Sequence, residues 1–223
     1  MAQRLSGLSH DEATGTAKLV YEGSDQFLGR TANLQRILAT HSPYLARWFG
    51  GLAAAVRQPN LGATTDVRYR ALAVIKTSMI NACAYCTAHT STFGQGLGMK
   101  EEELEALMDG SYKTSSLFDE RDRAAVAWSE AMTNNTAQRD QPAWEAMKAN
   151  FTEPEIVEIS MACAMFNMIN RLNDSFHTDL EEPDYDRQQW NANDGLSVED
   201  IEAFASKFAT VGEEERKLQT AAE

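Results

Sequence analysis

Apolar residues recur along the chain at the spacing of amphipathic helices, and almost no segment alternates apolar and polar residues as a half-buried strand would. In the segment 66–80, for example, Leu72, Ile75 and Met79 occupy positions i, i+3 and i+7. Further along, Thr152 and Glu155 form a capping-box sequence ahead of a long apolar run. The pattern therefore predicts an all-α fold, a helical bundle.

Polarity divides the chain into three parts. Residues 1–19 form a polar N-terminal segment, residues 20–185 carry the helical periodicity, and residues 186–223 hold a C-terminal helix and a charged tail. Within the middle part, the segments 68–79 and 121–132 both begin Arg-x-Arg-Ala. This similarity favours a domain built from two related helical halves.

The large apolar side chains indicate where the core lies. The run 156–169 is apolar on several helical faces, so we expect this helix to be central or to lie at a subunit interface. Trp48, Trp128 and Trp144 also occupy apolar positions of predicted helices. We expect all three indole rings to be buried in the core.

Composition and charge narrow the possible partners. The 223 residues carry a formal net charge of −13, which repels nucleic acid phosphates and anionic lipid surfaces. No apolar stretch approaches the roughly 18–20 residues of a membrane span, and the N-terminus lacks a signal-peptide core. The three cysteines are too few for a secreted disulfide framework. We therefore expect a cytoplasmic protein that binds neither nucleic acid nor membranes.

Two cysteines and a histidine lie at helical spacing in the segment 81–89. Asn81 is predicted to cap a new helix, with Cys83 at its second position, where the helix dipole favours a thiolate. Cys86 follows one turn later and His89 one turn after that, so the three side chains are neighbours. An imidazole with a pKa of about 6.5 can take a proton from a thiol. The segment is typical of a redox-active dithiol with a histidine base.

Cysteines at this spacing can also bind zinc, attach haem or simply fill the core. A structural zinc site needs four ligands, and Cys163 stands alone in an apolar helix. Haem attachment requires a histidine at the position of Thr87, and a thioredoxin motif requires a preceding strand. Cys83 and Cys86 can also be buried small apolar residues. We expect no cofactor and no metal, but zinc and simple burial stay as alternatives.

The run Asn81-Ala-Cys83-Ala-Tyr85-Cys86-Thr-Ala-His89 resembles the alkylhydroperoxidase D-like/carboxymuconolactone decarboxylase family, and most closely its peroxidase-related branch. The resemblance covers about residues 42–181. It implies an all-helical fold, assembly as a trimer or hexamer, and reduction of hydroperoxides. It also implies that Cys86 attacks the peroxide, that Cys83 resolves the intermediate and that His89 is the base. An external thiol, such as a lipoyl or thioredoxin-like protein, would recharge the dithiol.

The chain departs from this family pattern at one informative position. Peroxidases of the family carry a relay glutamate where this sequence has Ala71, and Asp66 or Glu130 are candidates to replace it. We therefore expect a thiol-dependent peroxidase or disulfide oxidoreductase, an alkylhydroperoxidase-like enzyme. A proton-transfer enzyme of the carboxymuconolactone decarboxylase type, acting on a small cyclic acid, is the alternative. A metal-binding helical oligomer without enzymatic activity is a third possibility.

Overall fold

The computed structural model describes residues 2–59, 61–181 and most of 198–207, and this part of the chain contains helices and no strand. The all-α prediction is thus confirmed. The charged tail beyond residue 207 and the predicted boundary at residue 185 lie outside the described residues. Among the described helices, none combines the length and the apolar character needed to cross a bilayer.

The chain separates into two compact units, one formed by residues 1–62 and 178–223, the other by residues 63–177. In the first unit, the helices with assigned bounds are α1 (Gly15–Leu28), α2 (Asn33–His41) and α3 (Pro43–Arg57), and the described residues within 198–207 are helical as well. The second unit contains six α-helices and a short 3-10 turn, Ser111–Lys113. These helices are α4 (Val67–Ile80), α5 (Ala84–Gly96), α6 (Glu101–Asp109), α7 (Glu120–Thr133), α8 (Gln141–Asn150) and α9 (Glu153–Phe176).

The predicted single domain over residues 20–185 and the two related halves both stay predictions. The two similar segments became α4 and α7, which pack against each other within the second unit. Helix α1 begins inside the segment that was expected to be a polar N-terminus.

Helix α4 is the centre of the second unit and packs against α5, α7 and α9. Its residues 71–75 are all fully buried, because helices cover it on several sides. The stripe predicted from the sequence is confirmed for Leu72 and Ile75, whereas Met79 is only partly buried. These side chains lie in a cluster with apolar residues of α6, α7 and the connecting segments: Met99, Leu104, Leu107, Tyr112, Phe118 and Val126.

The tryptophan prediction was wrong for Trp48. This residue lies on α3 and is 62% exposed, next to the equally exposed Tyr44 and Leu45. The guanidinium of Arg47 lies 4.6 Å from the centre of its ring. Trp128 and Trp144 are partly buried and contact each other at 5.5 Å. Helical spacing shows which residues share a face, but it does not show which face is covered.

Arg68 connects three helices of the second unit through two carboxylates. Its guanidinium, at the start of α4, donates two hydrogen bonds of 2.9 Å to Asp122 on α7 and one of 2.8 Å to Glu103 on α6. Both carboxylates are almost completely buried. Burial opposes ionisation of Glu103, but bonds from the Lys100 backbone N–H and from Arg68 outweigh it and hold its pKa below the usual value.

We predict that Arg68→Met lowers the free energy of unfolding by ~3 kcal/mol at neutral pH, because it leaves two buried carboxylates without their cation. A depressed pKa stabilises the fold above the unfolded-state pKa and loses this contribution as pH falls through the folded-state value. The difference in free energy of unfolding between variant and wild type should therefore become smaller below about pH 4. Urea unfolding at several pH values measures it.

Lys148→Met is the matched control for this prediction. Lys148 and its partner Glu145 form an exposed ion pair on α8, so its loss should cost less than about 1 kcal/mol. Equal losses in the two variants would contradict the role given to Arg68.

Candidate active site

The turn between α4 and α5 sets the backbone of the candidate site. Helix α4 ends at Asn81, and Ala82 adopts a left-handed conformation with φ of +53°. The N–H of Ala82 then bonds to the carbonyl of Met79, and the N–H of Cys83 bonds to the carbonyl of Ser78. This pair of bonds is the Schellman motif that closes many helices, here with alanine at the position usually taken by glycine.

The predicted helix start was therefore wrong by two residues. Cys83 itself is the N-cap of α5, and Asn81 caps the end of α4. The Cys83 side chain accepts a hydrogen bond of 3.3 Å from the N–H of Cys86. Asn81 is not free to cap α5, because its side-chain amide donates to Asn167 and Asn170 on α9.

The two cysteines of this turn are joined as a disulfide. Their Cα atoms lie 5.3 Å apart, and both residues are almost fully buried. Cys86 lies in the first turn of α5, where backbone N–H groups and the helix dipole favour a negative charge. The juxtaposition of Cys83 and Cys86 expected from their spacing is thus present, with the sulfur atoms in bonding contact.

His89 follows Cys86 by one helical turn on α5 and is buried. Its imidazole stacks on the phenol ring of Tyr85, with ring centres 4.3 Å apart and planes inclined by 29°. This contact restricts rotation of the imidazole. A histidine at i+3 from a cysteine lies on the same helix face, so α5 carries the imidazole on the face that holds Cys86.

Helix α9 contributes residues that the sequence pattern did not assign to the site. Asn173 is buried, and its side-chain amide donates a hydrogen bond of 3.3 Å to the sulfur of Cys86. Asn170 accepts a hydrogen bond of 2.8 Å from the side-chain amide of Asn81 and donates one to the hydroxyl of Ser78. The available signal was the recurrence of asparagine at 167, 170 and 173, every third residue of an apolar helix. Arg171, one turn after Asn167 on α9, is exposed and donates a hydrogen bond of 2.9 Å to the side-chain oxygen of Asn167.

Both candidate replacements for the relay carboxylate have partners outside the segment 81–89. Asp66 caps the start of α4, accepting from the N–H of Arg68, at the helix end opposite the dithiol. Glu130 pairs at 3.0 Å with the buried ammonium of Lys76. Ala71 is completely buried. These two carboxylates thus stabilise the fold of the second unit through a helix cap and an ion pair.

The described residues contain no group of three or more histidines, cysteines and acidic residues arranged to hold a metal. Cys163 is buried on α9 and receives a hydrogen bond of 3.2 Å from the hydroxyl of Thr77. It is therefore held in the core and takes no part in the cysteine pair.

Comparison with known proteins matches no protein-family model and no curated protein, but it does match solved structures. A variant of the debrominase Bmp8 in complex with 2,3,4-tribromopyrrole has a TM-score of 0.69 and 22% identity, covering 81% of this chain and 93% of that one. An uncharacterised peroxidase-related protein from Ralstonia eutropha, described as an alkylhydroperoxidase AhpD core, has a TM-score of 0.67 and 18% identity over the same shares.

A third similar structure is an uncharacterised peroxidase-related protein from Silicibacter, with a TM-score of 0.62 and 18% identity. It covers 79% of this chain and 92% of that one. The chain therefore has the alkylhydroperoxidase D-like helical fold, as the resemblance implied.

We predict that Cys83→Ser and Cys83→Ala differ in stability under reducing conditions, although both remove the disulfide. Serine is a preferred N-cap and alanine is not, so the serine variant should be more stable by ~1 kcal/mol. Urea unfolding of both variants in excess reductant measures this difference. Equal stabilities would show that the residue at position 83 does not cap α5.

Proposed function

We propose that this chain is a thiol-dependent oxidoreductase that reduces hydroperoxides with the Cys83–Cys86 dithiol. The observation that carries the proposal is the disulfide at the first turn of α5, with His89 one turn further along the same helix. A dithiol in this position combines a nucleophile favoured as thiolate, a resolving thiol and a base. The alkylhydroperoxidase D-like fold is consistent with this chemistry.

In the proposed reaction, His89 takes the proton of Cys86, and the thiolate attacks one oxygen of the hydroperoxide. The O–O bond breaks, the protonated imidazole returns its proton to the departing oxygen, and an alcohol or water leaves. Cys86 is then a sulfenic acid, oxidised by two electrons. Cys83 attacks its sulfur, the S–O bond breaks, and water leaves with the remaining protons. The product is the Cys83–Cys86 disulfide.

An external dithiol would close the cycle. A reduced lipoyl group or a thioredoxin-like protein attacks the disulfide, forms a mixed disulfide and leaves in its oxidised form, returning two electrons to the pair. Such donors are maintained in the cytoplasm, where we place the protein. No cofactor is needed, because the electrons come from sulfur.

Peroxide consumption in the presence of dihydrolipoamide tests the proposal. We expect Cys86→Ser and Cys83→Ser to reduce turnover to the uncatalysed background, since each removes one thiol of the couple. His89→Gln should lower kcat/KM by about a hundredfold, the usual contribution of a general base. The rate of hydroperoxide loss, followed at fixed pH, measures all three.

Cys163→Ser is the matched control, because Cys163 is a buried cysteine outside the pair. It should turn over peroxide at the wild-type rate. The proposal is wrong if wild-type protein loses no thiols on exposure to hydroperoxide, or if Cys86→Ser retains turnover.

A halogenated aromatic compound is a second candidate oxidant for the same dithiol. The similarity to the debrominase Bmp8 favours it. Here the Cys86 thiolate would take the bromine, the ring carbon would gain a proton, and Cys83 would displace bromide to form the disulfide. Bromide released from a bromopyrrole by reduced protein, one ion per disulfide formed, would support this reaction over peroxide reduction.

The proton-transfer and metal-binding alternatives predict different outcomes. A proton-transfer enzyme of the carboxymuconolactone decarboxylase type needs no dithiol, so a Cys83→Ser/Cys86→Ser double variant would still turn over a lactone acid. A metal-binding oligomer would contain stoichiometric zinc after purification. Either result would displace the redox proposal.

We also propose that the chain works as a homo-oligomer, a trimer or hexamer, assembled through α9. Val157, Met161, Ala164 and Met168 are exposed on one face of this helix, with the alternating spacing of four and three residues found in helix–helix seams. Analytical ultracentrifugation of wild type and Met161→Glu tests the assembly. A monomeric wild type would contradict it.

A further inference from the structure

Asn173 reaches the cysteine pair from outside α5 and donates a hydrogen bond to one of its sulfurs. Its Nδ2 lies 3.3 Å from Cys86 Sγ and 3.1 Å from the carbonyl oxygen of Ile169. The residue is 2% exposed, so water does not compete for these contacts. Its Oδ1 is buried as well and has no hydrogen-bond partner among the described residues.

The hydrogen bonds of Asn170 fix the position of the part of α9 that carries Asn173. Asn170, three residues earlier on α9, binds Asn81 and Ser78, which belong to the end of α4 and its cap. These bonds tie α9 to the backbone that leads into Cys83. One helical turn further along α9, the amide of Asn173 then reaches the next cysteine, Cys86.

We propose that Asn173 is a catalytic residue that stabilises the thiolate of Cys86 by donating a hydrogen bond to its sulfur; this inference rests on the proposed dithiol function. A disulfide sulfur is a weak acceptor, whereas a thiolate carries a full charge and accepts strongly. The same contact therefore stabilises the reduced, ionised state much more than the oxidised state. It lowers the pKa of Cys86 and makes the pair a stronger oxidant.

The unpartnered oxygen of Asn173 fits the same role. A buried acceptor without a donor is costly, and a redox or catalytic role is one explanation for such a group. The sulfenic acid of Cys86 carries an O–H that exists only between peroxide attack and disulfide formation. Asn173 Oδ1 is a buried acceptor on the same amide group whose nitrogen contacts the Cys86 sulfur, and it could accept from that O–H.

The thiolate pKa of Cys86 tests the inference without any peroxide. The fully reduced chain is alkylated with iodoacetamide across a range of pH, and modification of Cys86 is followed by peptide mass spectrometry. We expect Asn173→Leu to raise the midpoint by about one unit, the usual contribution of a hydrogen bond to a charged acceptor. Asn173→Asp should raise it further, since it adds a negative charge beside the sulfur.

Asn167→Asp is the matched control. Asn167 lies on the same helix, and its amide is 3.5 Å from the sulfur of Cys163, outside the pair. The aspartate keeps the side-chain oxygen that accepts from Asn81. In this variant, the pH midpoint of Cys86 alkylation should stay within about 0.3 pH units of the wild-type value. Equal midpoints in wild type and Asn173→Leu, or equal shifts in the two aspartate variants, would overturn the inference.

The reduction potential provides a second measurement. If the thiolate loses about tenfold in stability, the potential of the pair in Asn173→Leu falls by about 30 mV, as expected for a two-electron couple. Equilibration with glutathione or dithiothreitol measures it. An unchanged reduction potential in Asn173→Leu would contradict the proposed stabilisation of the Cys86 thiolate by Asn173.

A third measurement uses the wild-type chain and does not depend on a variant folding. The side-chain amide protons of Asn173 should shift downfield on reduction, with a pH midpoint equal to that of Cys86, because the bond strengthens when the thiolate forms. No shift on reduction would overturn the inference. A shifted pKa in Asn173→Leu, combined with a wild type that reduces no hydroperoxide, would instead refute the proposed oxidant and leave the role of Asn173 intact.

Discussion

The left-handed turn at Ala82 is the constraint on which the rest of the site depends. It closes α4 with two backbone hydrogen bonds. The next residue, Cys83, is then the N-cap of α5. A cysteine at an N-cap has its sulfur over the first-turn N–H groups, where Cys86 also lies. One backbone conformation thus places both sulfurs in contact and near the positive end of a helix dipole. The position of His89, one turn later, follows from the same helix.

Helix α9 supports this turn from the side. Asn170 holds Asn81 and Ser78, and Asn173 reaches Cys86, so a single apolar helix supplies polar contacts to both halves of the turn. Buried amides in an otherwise apolar helix are stable only when they are hydrogen-bonded, and these bonds need α4, α5 and α9 in one register. The framework carboxylates are arranged differently: Glu103 and Asp122 bind Arg68, at the start of α4. The ion pairs of Arg68 and the cysteine pair thereby lie at opposite ends of the same central helix.

The helices and the arrangement of the cysteine pair could be predicted from the sequence, because both depend on local spacing. The helices, the contact of Cys83 with Cys86 and the place of His89 on the same helix all follow from i, i+3 periodicity. The cap of α5 was predicted wrongly, since nothing local shows that Ala82 adopts a positive φ or that Asn81 is engaged by α9. Asn173 is 87 residues away from Cys86, and such a contact is set by tertiary packing. The exposure of Trp48 was missed because spacing does not show which face is covered.

The central claim is that Cys83 and Cys86 act as one two-electron couple, and a single-turnover mass measurement tests it most directly. Fully reduced protein receives one equivalent of hydroperoxide, free thiols are then blocked, and the peptide containing both cysteines is weighed. The account predicts a loss of about 2 Da in that peptide, one disulfide per hydroperoxide consumed, with Cys163 still a thiol. Two blocked thiols at positions 83 and 86, or stable oxygen adducts without a bridge, would contradict it.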